Sequence, residues 1–177
     1  TAEAVQSLQE QPLHLKATDY GVGRQVPAVA LKDRAGVNVT HSGITLVAMF
    51  GATCPISAKL GPELARLEKE YAGKGVKVIF CDPVPSETDE EIDRFIAAHA
   101  LQSTVIHDKD RALATALGAT TTTEVFVLDA ARTLIYRGAV NDQYGLGYTK
   151  EKPHKHYLRD ALDAALSGSA IDVAATT

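Results

Sequence analysis

The stretch Thr45-Leu46-Val47-Ala48-Met49-Phe50-Gly51-Ala52-Thr53-Cys54-Pro55-Ile56-Ser57 decides how this chain folds. Its first half, Thr45 to Phe50, is a continuous apolar run, the pattern of a strand covered on both faces. Its second half turns into a helix. Ile56, Leu60, Leu64, Leu67 and Tyr71 recur at steps of three and four, and Gly73 supplies a stop. Pro62 falls inside this pattern, where a kink is expected. Cys54 therefore stands at a strand-to-helix junction. The first turn of a helix presents unpaired N–H groups and the positive end of its dipole, and both favour thiolate over thiol. Pro55 suits that turn because its missing N–H is not needed there.

Working outward, Val76 to Cys81 reads as the next strand, and Thr88-Asp89-Glu90-Glu91 is a capping box that opens another helix. Thr104 to His107 reads as a short strand and Arg111 to Leu117 as a helix. Glu124 to Asp129 and Leu134 to Gly138 are two strands joined by a tight turn, hence an antiparallel hairpin. A polar loop is expected from Asn141 to Pro153, and a last helix from Tyr157 to Leu166 ending at Gly168. Ahead of the quoted stretch, Pro27 to Lys32 and Val37 to Thr40 read as a hairpin around Asp33-Arg34-Ala35-Gly36. The resulting order is β-α-β-α-β-α-β-β-α behind an N-terminal hairpin extension. Strands alternating with helices build a parallel sheet, and the closing hairpin makes that sheet mixed. The expected boundaries are a loosely ordered lead-in over 1–25 with a short helix at Ala2 to Glu10, one α/β domain over 26–168, and a fraying tail over 169–177.

A chain of 177 residues is long enough for one domain with a full core. Its 45% hydrophobic and 23% charged residues are the balance of a globular protein. A net charge of -4 argues against nucleic acid or an anionic membrane as the general partner. No apolar run approaches the roughly 20 residues that span a bilayer. Two cysteines, Cys54 and Cys81, make no disulfide framework of the secreted kind. The sequence begins at Thr1 and not at Met, so a processed chain or a piece of a longer one is expected. A bacterial periplasmic or exported location follows if a signal was removed, and a cytoplasmic one otherwise.

Ala48 to Ser57, Gly75-Val76-Lys77-Val78-Ile79, Leu117 to Thr120, Glu124 to Asp129, Tyr136-Arg137-Gly138 and Arg159 to Ala164 together resemble the redoxin branch of the thioredoxin-like superfamily. That branch includes peroxiredoxin-like and thiol-disulfide proteins. The resemblance covers Ile44 to Ser167. It implies a thioredoxin-like fold with a mixed central sheet flanked by helices. It also implies thiol-disulfide or peroxide chemistry at Cys54, with no organic cofactor. Three positions depart from the relatives. Ser57 stands where the dithiol proteins have their second cysteine. Gly51 stands where peroxiredoxins have a threonine. Thr123 stands where the fold normally has a cis-proline facing the cysteine, and a non-proline peptide is nearly always trans. In the superfamily that proline shields the cysteine from metals, so a metal role stays open.

The candidate site is therefore Cys54 as nucleophile and Ser57 as a hydrogen-bond donor to it. Thr123 is expected as the facing wall, Glu124 as a nearby carboxylate that manages protons, and Cys81 as a resolving cysteine or an inert core thiol. His107 ends a strand at the same sheet edge, and His154 and His156 alternate in a loop without a recognised metal spacing. Two functions fit. One is a thiol oxidoreductase with a single motif cysteine, which forms mixed disulfides with a partner protein or reduces a small peroxide. The other is a non-catalytic binding or metal-carrier domain on the same scaffold. A third possibility, an accessory domain of a larger chain, concerns context and not chemistry. Oligomeric state is not legible.

Overall fold

The computed structural model describes residues 11–145 and 148–177. The short helix expected at Ala2 to Glu10 lies outside the described residues. A five-stranded sheet forms the centre. Its strands are β3 (Thr45–Met49), β4 (Lys77–Asp82), β5 (Thr104–His107), β6 (Val125–Leu128) and β7 (Leu134–Gly138), in the spatial order β5-β4-β3-β6-β7. β3, β4 and β5 run parallel, while β6 is antiparallel to β3 and β7 to β6. The helices are α1 (Pro55–Ala72), α2 (Asp89–His99), α3 (Ala112–Leu117) and α4 (Tyr157–Ser167). The mixed sheet flanked by helices is the fold expected from the sequence.

Period-two alternation splits the core into two layers. Leu46, Ala48, Phe50, Val78, Phe80 and Val125 face α1, α2 and α4. Val47, Met49, Ile79, Cys81, Ile106 and Phe126 face the other way, toward α3 and Val26. β3 is buried at all five positions, as an apolar run in the middle of a sheet must be. In α1, Leu60, Leu64, Leu67 and Tyr71 form the buried stripe, and the helix runs through Pro62 as one element. Thr88 caps α2 with a full capping box: its hydroxyl accepts from Glu91 N, and Glu91 accepts from Thr88 N.

The N-terminal hairpin is present but shorter than expected, as β1 (Leu31–Lys32) against β2 (Asn38–Val39). The loop after β7 contains a further small hairpin, β8 (Tyr144–Gly145) with β9 (Tyr148–Thr149). Among the described residues, both ends of the chain make isolated backbone bridges. His14 bridges Thr176, Gln25 bridges Thr133, and Ala175 bridges Arg137. At the C-terminal end the close approach is local to Gly138. Its φ of 137° and missing Cβ let the Thr176 backbone and hydroxyl pass directly against it. Ala139 N then donates to the Thr176 hydroxyl at 2.8 Å. Composition alone, small and polar, carried no sign of this docking.

Candidate active site around Cys54

β3 ends at Met49, and the chain crosses to α1 in the five residues from Phe50 to Cys54. Phe50 N still donates to Cys81 O at 2.9 Å, so the crossing starts from the sheet. Cys54 is the N-cap of α1: its carbonyl accepts from Ala58 N at 3.1 Å, while its own φ of −78° and ψ of 122° are extended. The sulfur is half-buried. Thr122 Oγ1 donates to it at 3.5 Å. Burial pushes the thiol up. The Thr122 hydroxyl, the backbone and side chain of Ser57 and the backbone of Ile56 outweigh that and hold it below its ordinary value.

Ser57 is buried one turn into α1. Its hydroxyl accepts from Gly51 N at 3.0 Å and donates to Thr122 O at 3.2 Å. The residue at the second-cysteine position is thus a clip between the loop before Cys54 and the loop facing it. A Cβ added at Gly51 would sit 3.0 Å from the Cys54 Cβ and 3.5 Å from the Thr122 Cβ. A threonine at this position would crowd the cysteine, so glycine there follows from the close approach of the Cys54 side chain itself, with Thr122 at ordinary contact distance.

The facing wall is Thr122, with Thr123 beside it; Thr123 N donates to Thr121 Oγ1 at 3.4 Å. Among the described residues there is no cis peptide bond. Glu124 is spoken for elsewhere. Its carboxylate accepts from Arg137 at 2.6 and 3.1 Å and from Thr120 N at 3.0 Å. Both partners of that ion pair are 9% exposed at the side chain. The expected proton-managing carboxylate is instead half of a structural pair, because Arg137 on the neighbouring strand β7 needs a counter-charge.

Cys81 pairs in register with Met49 and is fully buried. Its side chain lies in the core layer facing α3, on the opposite side of the sheet from α1, which Cys54 caps. Burial, with Asp108 and Asp82 adding to it, pushes this thiol far up. Both cysteines are free. A disulfide between them would require one of them to leave its side of the sheet, so the resolving role does not follow from this arrangement. His107 points Nε2 at Val84 O, at 2.9 Å. Among the described residues no group of three or more His, Cys, Asp or Glu side chains gathers to hold a metal ion.

Two site residues escaped the sequence reading, Asp82 and Glu87, and Thr122 holds the place expected of its neighbour Thr123. Glu87 accepts from Ala52 N at 2.7 Å, Thr53 N at 3.0 Å and Thr53 Oγ1 at 2.8 Å. Asp82 accepts from Ala52 N at 3.3 Å and from Val84 N at 2.9 Å. The available signal was Asp82-Pro83 directly after an apolar strand. A carboxylate at the carboxyl edge of a parallel strand adjoins the crossing loop of its neighbour. A groove of about 220 Å³ opens beside this loop, lined by Ala52, Thr53, Ala58, Glu91, Arg94 and Phe95.

The sequence profile of the Redoxin family matches residues 21–152. The chain belongs to the Redoxin family. Solved structures similar to this redoxin include a hypothetical protein from Sinorhizobium meliloti. That likeness has 24% identity, coverage of 94% of this chain and 93% of the other, and a TM-score of 0.77. An uncharacterized conserved protein from Geobacillus kaustophilus matches at 24% identity, covering 86% and 85% with a TM-score of 0.71. A secreted disulfide oxidoreductase of Mycobacterium tuberculosis matches at 12% identity, covering 79% and 95% with a TM-score of 0.55. At these identities the likeness is one of fold, and it is the thioredoxin-like fold. No curated protein sequence matches this redoxin. No helix among its described residues is long and apolar enough to cross a membrane.

Proposed function

We propose that this redoxin is a thiol oxidoreductase in which Cys54 is the only nucleophile of its Cys-x-x-Ser motif. The observation that carries the reading is the half-buried Cys54 sulfur at the α1 N-terminus accepting from the Thr122 hydroxyl, with its thiol held below the ordinary value. Such a sulfur is a better nucleophile at neutral pH than an ordinary cysteine thiol. In the favoured reaction the thiolate attacks one sulfur of a partner protein's disulfide. A Cys54–partner disulfide forms and the partner's S–S bond breaks. The departing thiolate takes the electron pair and then a proton from solvent. Release requires a second thiol from the partner, since Ser57 has none. With a small peroxide the same thiolate would form an S–O bond as the O–O bond breaks; Cys54 becomes a sulfenic acid, and the departing oxygen takes the electron pair and a proton from solvent to leave as water or an alcohol.

The other reading is a non-catalytic binding or metal-carrier domain. It draws on Ser57 and Thr123 standing where the second cysteine and the proline would be. One experiment separates them. The purified protein is reacted with a glutathione-derived mixed disulfide and, separately, with hydrogen peroxide, and Cys54 is followed by mass spectrometry. A mixed disulfide or a trapped sulfenic acid on Cys54, absent in Cys54→Ser, supports the oxidoreductase. Inertness to both reagents, with stoichiometric copper(I) or zinc binding lost in Cys54→Ser, overturns it.

A further inference from the structure

The loop that presents Cys54 is held by two acidic side chains, Asp82 from the end of β4 and Glu87 from the turn before α2. Ala52 N donates both to Glu87 at 2.7 Å and to Asp82 at 3.3 Å, so oxygens of the two carboxyl groups lie within 3.3 Å of one amide nitrogen. Asp82 is fully buried at the end of β4, and Glu87 is 6% exposed in the turn before α2. Two bare carboxylates that close repel strongly, so the arrangement holds with one proton between them. Glu87 keeps the charge, because it accepts three hydrogen bonds from Ala52 and Thr53, while Asp82 is the half that carries the proton.

We infer that Asp82 and Glu87 are positioning residues for Cys54: a carboxyl pair sharing one proton that clamps Ala52 and Thr53 and so fixes where the Cys54 sulfur sits. The inference rests on the reading of Cys54 as a reactive thiol. It adds a device that sets this reactivity from outside the motif. Burial raises Asp82 to about 8, with the Glu87 side chain adding to the rise, while hydrogen bonds hold Glu87 below its ordinary value. Loss of the shared proton leaves two adjacent carboxylates, which relax by parting. The loop then loses its clamp at the pH where the thiolate is most abundant. Other ionisable groups surround the pair: Cys54 from the loop side, Cys81 from β4, His107 from β5, Asp108 and Arg111 ahead of α3, and Glu91 and Arg94 from α2. Of these, Asp108 is committed to the amides of Leu113 and Ala114, and Arg111 to Pro83 O.

The test follows Cys54 alkylation by iodoacetamide across pH, together with amide hydrogen exchange, in the full chain and in Asp82→Asn and Glu87→Gln. The wild type is expected to show the thiolate's inflection and a second one near the Asp82 value, and Asp82→Asn is expected to lose only the second. Glu87→Gln leaves one carbonyl oxygen for three donors. Exchange at Ala52 and Thr53 should then quicken about tenfold, the scale of one lost hydrogen bond, with the rest of the sheet unchanged. A support role alone would lower protection across the whole domain and leave the pH profile's shape untouched. Should Glu87→Gln fail to fold, the wild-type amide shifts of Ala52 and Thr53, followed by pH titration in Cys54→Ser, decide the matter. A step at the pair's titration supports the clamp, and flat shifts overturn it. Profiles of Asp82→Asn and wild type that superimpose also overturn it. These readouts need no turnover. A Cys54 that is inert to disulfides and peroxide but shows the coupled profile refutes the oxidoreductase reading and not the clamp.

Discussion

Thr122→Val is the most direct perturbation of the Cys54 thiolate. Valine keeps the branched shape that packs beside Gly51 and removes only the hydroxyl that donates to Cys54 Sγ at 3.5 Å. The Thr122 carbonyl remains, so the Ser57 clip at 3.2 Å is preserved. A hydrogen bond to a charged acceptor contributes roughly 1.5–3 kcal/mol when well buried. The distance here is long and the sulfur half-exposed, so about 1 kcal/mol is the reasoned share after solvent screening. That corresponds to about a fivefold fall in the thiolate fraction on the acid side of the titration. The assay is iodoacetamide alkylation under pseudo-first-order conditions, read from pH 5 to pH 10 with a melting curve as the folding control. Thr122→Val should react about fivefold more slowly at low pH and match the wild type at high pH, where both are thiolate. Thr122→Ser, which restores the hydroxyl, should return to the wild-type curve. Equal rates for Thr122→Val and wild type at every pH would refute the claim that this hydroxyl stabilises the thiolate.

Ser57→Ala breaks both bonds of the buried clip and should cost about 1–3 kcal/mol in urea unfolding; a midpoint unchanged from the wild type would show that the clip carries nothing. Glu124→Gln leaves Arg137 buried without its counter-charge and should cost about 3 kcal/mol or more, with Cys54 alkylation unaltered in the folded fraction. A change in the alkylation profile there would return Glu124 to the site. Diamide treatment should give no internal Cys54–Cys81 disulfide on non-reducing peptide mapping, because the two thiols occupy opposite sides of the sheet. Asp82 also sets a pH dependence of stability. Its native value of about 8 lies above the ordinary 3.8, so the native state holds a proton that the unfolded chain has released. The contribution is complete below 3.8 and is lost as pH rises from there to about 8, so Asp82→Asn should flatten the fall in stability between those two values. Glu87 is held low, acts in the opposite sense, and does so only below the ordinary carboxylate range.

Much of the fold was legible in the sequence because it rests on local periodicity. The apolar run at Thr45 to Met49, the three-and-four spacing from Ile56 to Tyr71, the capping box at Thr88 and the hairpin ending at Gly138 each became the element they spelled. Cys54 at the strand-to-helix junction followed from the same patterns. The roles around it did not, because they are settled by which residues meet across the sheet edge. Period-two alternation put Cys81 with the residues that face α3. The counter-charge on β7 drew the Glu124 carboxylate to Arg137. The facing loop presented Thr122, one residue before the expected Thr123, to the sulfur. Glu87 lies 33 residues beyond Cys54 in sequence and reaches the loop only because β3 and β4 run parallel and end together. The sequence by itself determined the scaffold and its lone motif cysteine, since strand and helix periods are properties of neighbours along the chain. The hydrogen bonds that hold the sulfur and its loop were decided by the tertiary structure, since each joins residues that only the packed sheet brings within 3.5 Å.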